Sequence, residues 1–338
     1  MKSLSAQHLS AQHLSALWMR WVRRLMHREP ATPLALFRIA VGLIVVHTFV
    51  MVLVTDSVTP IWVHKAHGGI HPIASKQWLL NALGGPTPTV IHGLVWTGLV
   101  AGIGVATGTL SRASALVAGQ VCLALFWLLP SAGGGHDRVI TNALWLLVLS
   151  PAGTTLSVDA RIRRGSWVDL TPVAAWPRYL IVLQLCLIYG MTGIQKLGSS
   201  WFPWGGYTAV YYALLTPSWA RYDLSAVAHV FPLTAVATAV SWTWEVTFPV
   251  VMAWMWWRHT RHRGGRLRRF AQKVDLRIPY ALIGVTMHTV LYVLMELGPF
   301  SLITMSLYIA MWHHDELVRR WPRLGRTSIG TGGSTATT

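Results

Sequence analysis

The sequence predicts an all-α fold: a polytopic bundle of about eight membrane-spanning helices, both termini cytoplasmic, with short interfacial or re-entrant helices on the outer face. Three observations predict it. Of the 338 residues, 53% are hydrophobic and only 12% charged, about half the charged share of a soluble domain. Apolar runs able to cross a bilayer, which takes about 20 helical residues, follow one another along nearly the whole chain. The basic residues then alternate between sides in the expected way, since short cytoplasmic loops hold the excess of Lys and Arg. With the N-terminus inside, 22 of the 28 fall on inner segments. Only Lys65, Lys76, Arg138 and Arg221 fall outside, while Arg38 and Lys196 lie within spans. Removing any one span throws basic clusters onto opposite sides.

Residues 1–32 open with "SAQHLSAQHLSA", a duplicated polar pentapeptide expected to be disordered. Next comes "ALWMRWVRRLMHRE", whose apolar and basic residues alternate at helical spacing, as in a helix lying in the inner interface. No small-residue cleavage site follows an apolar core, so it does not read as a signal peptide. The membrane domain occupies 33–315, with spans at 34–54, 89–110, 113–130, 139–151, 178–198, 233–257, 278–297 and 300–313, the fourth being short. Residues 316–338 form a cytoplasmic tail.

Two outer connections, 55–88 and 199–231, are too long and too aromatic to be simple links. The first carries His64, His67 and His71 at the spacing of a metal-binding helix face. Gly68, Gly69 and Pro72 interrupt regular helix there and no acidic or cysteine ligand is near, so solvated histidines and no metal are expected. Cys122 and Cys186 lie within spans without metal or redox spacing and read as packing residues. The net charge of +17 belongs mostly to loops beside the anionic leaflet, where each basic group gains about 1 kcal/mol. Membrane lipids are therefore the expected partner, and nucleic acid is not.

Ionisable groups within a bilayer are costly and mark function or internal pairing. Here they are Arg38, His47, Lys196, Glu245, His288 and Glu296. Tyr189, Gly193 and Lys196 share one helix face, with the glycine allowing a neighbour to approach. His288, Tyr292 and Glu296 form a second stripe, and Glu245 lies mid-span on the sixth segment. Spans five to seven thus predict one polar pocket in the outer half of the bundle. Trp201 anchors the chain at the interface after the lysine, and Gly205 with Gly206 turns it back towards the bundle. A lysine amine taken out of water favours its neutral, proton-accepting form, which gives such a residue a chemical use. Snorkelling, or a structural ion pair with Glu245 or Glu296, is the plainer reading. For His288 the plainer reading is a hydrogen-bonded core histidine, and for Arg38 it is headgroup contact or helix pairing.

"LQLCLIYGMTGIQKLGSSWFPWGGYTAVYYAL" resembles the signature of the HTTM (horizontally transferred transmembrane) domain, shared by vitamin K-dependent gamma-carboxylases and many bacterial proteins. In the family's order follow "LALFRIAVGLIVV", "GGGHDRVITNALWLLVLSPAGTTLSVDAR", "WEVTFPVVM" and "MHTVLYVLMELGPFSLITMSLYIAMW", the similarity covering 33–315. The resemblance implies that Lys196 holds the place of the base that deprotonates vitamin K hydroquinone, and that His288 and Glu245 match family positions. A quinone or vitamin K-like hydroquinone is the cofactor it implies. The carboxylases carry two adjacent lysines where this chain has Gln195 and Lys196, and they continue into a large soluble propeptide-binding region, so carboxylation of a docked protein is not expected. Three readings follow: a membrane enzyme using Lys196 and His288 on a lipid-like or quinone-like molecule; a component that matures a small exported antimicrobial peptide of the sporulation-delaying type; and a structural or lipid-binding membrane protein. With 23 Arg against 5 Lys, a bacterial cytoplasmic membrane is the expected location.

Overall fold

The computed structural model describes residues 18–19, 22, 26–73, 76–129 and 131–325. The duplicated pentapeptide, most of the amphipathic segment and the tail after 325 lie outside the described residues. A short strand, β1 (Arg28–Pro30), leads into α1 (Thr32–Val54), α2 (Val58–Trp62), α3 (Trp78–Ala82), α4 (Pro88–Thr107), α5 (Ser111–Phe126), α6 (Gly135–Leu149) and α7 (Val158–Arg164). Strand β2 (Pro172–Ala174) precedes α8 (Trp176–Gln195), α9 (Ala209–Leu214), α10 (Phe231–Thr247), α11 (Val250–His259), α12 (Arg266–Lys273), α13 (Arg277–Leu294), α14 (Phe300–Leu307) and α15 (His314–Arg320). Among the described residues, five helical segments are long and apolar enough to cross a membrane: α1, α4, α8, the 225–247 segment containing α10, and α13. Two shorter apolar helices cover 111–126 and 300–311. The protein is an all-α membrane protein apart from one two-stranded ribbon, in which Arg28 pairs with Ala174 and Pro30 with Pro172.

Helix boundaries follow local chemistry. Pro88 opens α4 where no amide donor is needed, Thr87 Oγ1 accepts from Val90 N, and Gly108 closes the helix in the left-handed region at φ +72°. The packed half of the bundle is built on close approach: a side chain at Gly42 of α1 would collide with Ala106 of α4, and one at Gly98 or Gly102 with Phe49 or Val45. Backbones can approach this closely only where side chains are small, and Val41, Val45, Phe49, Val95, Val105 and Leu125 fill the seam. The expected sixth span, 233–257, divides at Phe248 and Pro249, because proline lacks the amide that would continue the ladder. The last span is also divided, α14 tightening into a 3-10 turn at Tyr308–Met311. Both outer connections contain the short helices expected of them, in 55–88 and in 199–231.

Arg38 is fully buried, so headgroup contact is corrected: its guanidinium donates to Leu156 O (2.6 Å) and Ser111 Oγ (3.4 Å), folding the 150–165 loop over the bundle end. Asp159 of that loop accepts from Leu110 N (2.8 Å) and Ser111 N (2.9 Å) at the start of α5, a placement the helix dipole favours.

A network of charges ties the same end together. Arg178 is 0% exposed and pairs with both carboxylate oxygens of Glu29 of β1 through its Nε and one terminal nitrogen, donates to Ala310 O (2.9 Å) from the other and lies 3.1 Å from His313 Nδ1. Arg277 pairs likewise with Asp275 and Glu316 and donates to Met311 O. Burial pushes the Glu29 carboxyl up, but His313 and Arg178 outweigh it and hold the group at about 2. Glu316 is also held at about 2, burial being overcome by Arg277 and the His313 amide. His259 is pushed down by burial first and then by electrostatic repulsion from the neighbouring His27, His313 and Arg178.

Candidate functional site

The polar residues of α8 end in an ion pair. The helix stops at Gln195, so Lys196 is its C-cap and not a residue inside a span that runs to 198. Its Nζ lies 2.5 Å from Glu245 Oε2, with the two side chains 18% and 7% exposed. The Trp201 ring covers the amine at 4.0 Å, a cation–π contact made by the 3-10 turn that follows. Of the two partners open to Lys196, the structure selects Glu245. Gly193 makes the approach possible: a side chain there would meet Val246 N and Glu245 Cβ of α10. Gly193 therefore faces α10 and not α13. Gly206 takes the left-handed conformation at φ +71°, ending the 3-10 turn at 203–205 and sending the chain back towards α9.

Two turns earlier on α8, Tyr189 Oη lies 2.7 Å from His288 Nε2 and accepts a hydrogen bond from Tyr308 Oη at 2.7 Å. All three side chains are nearly inaccessible, at 3%, 1% and 4%. Trp244 and Phe248 pack on Tyr189 with ring centroids at 4.3 and 4.7 Å from it and 5.2 Å from one another, and the Trp244 indole donates to Tyr280 O. Gly284 on α13 vacates the space that Tyr308 Oη and Trp244 occupy. Lys196, Glu245, Tyr189, Gly193, Trp201 and His288 are thus gathered where α8, α10 and α13 meet.

Tyr292 and Glu296 are not part of this assembly, and the single-pocket expectation is corrected. Helix α13 ends at Leu294 and Met295 is extended at φ −125°, ψ 145°. The helical spacing that placed Glu296 in line with His288 stops before it. Met295 instead bridges Ala220, Glu296 N donates to Trp219 O, and the Glu296 carboxylate pairs with Arg221 at 3.1 Å. Arg221 also lies over the Tyr292 ring. These three residues border a separate cavity of about 310 Å³. Its other walls are His47, Thr48, Trp62 and Phe126, with the His136–Asp137 pair (3.3 Å) at the start of α6. His47 Nδ1 is buried with no partner among the described residues. Neither Lys196 nor His288 lines this cavity.

Sequence reasoning missed Tyr308, Gly284, Arg221, His136 and Asp137. Tyr308 stands in the last span, where a tyrosine reads as an interface anchor; its spacing of seven from the buried Ser301 was the available signal. Arg221 carried no signal, because only the backbone bridge brings it to Glu296.

Among known proteins, the family model of the HTTM domain matches residues 26–271. No curated protein matches the chain, and no solved structure does.

Proposed function

The chain belongs to the HTTM family, and from that membership, which covers Lys196, together with the placement of His288 beside Tyr189, we propose a membrane-embedded enzyme in which Lys196 is the base and His288 its partner, acting on a lipid-like or quinone-like molecule. The observation that carries this reading is the Lys196–Glu245 pair, half-enclosed under Trp201 and next to the Tyr189–His288–Tyr308 chain. Buried ion pairs are seldom favourable for stability alone, so one held at a glycine-lined helix crossing calls for another reason. Proton transfer from Lys196 Nζ to Glu245 Oε2 leaves an amine and a carboxylic acid. The amine then takes a proton from an acidic hydroxyl of the bound molecule, which becomes the anion while Lys196 regains its charge. A hydroquinone-like molecule would supply such a hydroxyl. Trp201 and the apolar faces of α8 and α10 restrict water at the amine.

Amine-reactive labelling in native lipid tests the proposal. Lys196 should react at a rate distinct from that of exposed Lys76, and a short-chain benzoquinone or added membrane lipid should protect it. Labelling equal to that of Lys76, with no protection, overturns it.

A second reading is favoured by the cavity, which omits Lys196: a lipid-binding protein whose ion pairs hold the bundle together. Mass spectrometry of co-purified lipid separates the two. A species lost in Thr48→Trp but kept in Lys196→Met supports binding alone. The membership supports a further proposal, that the chain crosses a bacterial cytoplasmic membrane eight times with both ends inside, each expected span coinciding with a helix or a divided helix.

A further inference from the structure

The hydroxyls of Tyr308 and Tyr189 and the imidazole of His288 form a hydrogen-bonded chain. Tyr308 Oη abuts Gly284, which has no side chain to offer an acceptor, and it donates to Tyr189 Oη at 2.7 Å. With Tyr189 Oη accepting from Tyr308, its own proton is available to His288 Nε2, 2.7 Å away. An imidazole that accepts at Nε2 carries its proton on Nδ1. That Nδ1 is buried in a residue 1% exposed and has no hydrogen-bond partner among the described residues. A buried donor left unmade is costly and rare. Yet three separate segments converge to keep the ring in this orientation: α8, α13 and the 3-10 turn after α14.

We propose that His288 Nδ1–H anchors an acceptor oxygen of the bound molecule, and that Tyr189 and Tyr308 are positioning residues that hold His288 in the required tautomer. The acceptor is either the ring oxygen of a quinone-like molecule or the ester carbonyl of a lipid. The existence of such a ligand rests on the reading above, whereas the tautomer rests on the hydrogen bonds alone. Orientation of a histidine through the hydrogen bond at its other nitrogen is the same device that metal sites use to fix their ligands.

Solid-state NMR of ¹⁵N-histidine-labelled protein tests this, with the His288 signals assigned by difference from His288→Gln. In nanodiscs of ether lipid, which lacks ester carbonyls, His288 should show a protonated Nδ1 and a bare Nε2. A shift of the Nδ1 signal on adding a short-chain benzoquinone assigns a quinone-like ligand; a shift on changing to ester lipid assigns the lipid carbonyl. Tyr189→Phe should release the ring so that both nitrogens share the proton, with Tyr308→Phe intermediate. A protonated Nε2 in the unmodified protein overturns the proposal, as does an Nδ1 signal identical in all three preparations. These arms use the unmodified protein, so misfolding of a tyrosine variant does not compromise them. Lys196→Met should keep the Nδ1 shift, which separates failure of the base reading from failure of this one.

Discussion

At the scale of single residues, glycines decide whether the site exists. A methyl at Gly284 would lie 2.0 Å from Tyr308 Oη and 2.7 Å from Trp244. Overpacking of this kind costs typically 1–3 kcal/mol. Gly284→Ala should therefore lower the melting temperature in detergent, and less so in a Tyr308→Phe background, where the hydroxyl is gone; an equal loss in both would show that Trp244 alone feels the methyl. The ion pair obeys a different rule. Glu245→Gln leaves the Lys196 ammonium without its carboxylate, and breaking a buried pair from one side costs up to about 3 kcal/mol or more. Replacing both partners, as Lys196→Met with Glu245→Leu, should restore most of that stability. Thermal melts of the two single variants and the double variant measure the coupling. No recovery in the double variant would mean that the two residues do not act as a pair.

At the scale of elements, apolar length and turn residues carried the helices. Pro88, Gly108 and Gly165 mark ends that can be read directly, and the lysine face of α8 was visible from its spacing. Span six could not be resolved in the same way, because a proline within a long apolar run signals either a kink or a break. Nor could the fate of Glu296, which depended on α13 stopping at Leu294 and on Arg221, 75 residues earlier in the chain (296 − 221), becoming its partner. The ribbon β1–β2 was illegible too, since three-residue strands have no period to detect. Its importance shows in Glu29, whose carboxyl is held at about 2 against an ordinary 4.5. A depressed carboxylate stabilises the fold above its unfolded value and loses that contribution as pH falls from about 4.5 towards 2. Acid titration of the melting temperature should therefore be less steep in that window for Glu29→Gln than for the unmodified protein, with Glu29→Gln the less stable at pH 7. Identical acid limbs would show that the carboxylate does not contribute.

At the scale of the molecule, the alternation of basic loops predicts which surface faces which compartment. Single cysteines at Ser131 and Ser218 should react with an impermeant maleimide from outside intact cells, and those at Gly165 and Gly264 should not; external labelling at Gly264 would remove the eight-span arrangement. The Arg178 cluster adds a temporal dimension to this architecture. Its carboxylate comes from 149 residues earlier in the chain and its carbonyl from 132 residues later. During synthesis α8 enters the membrane region with a guanidinium that Glu29 can meet at once, but whose remaining donor has to wait for Ala310. Closure of that end consequently waits until the segment around residue 310 has been made. A chain halted before residue 310 would carry all five of the long apolar helices found among the described residues yet leave one Arg178 donor without its carbonyl.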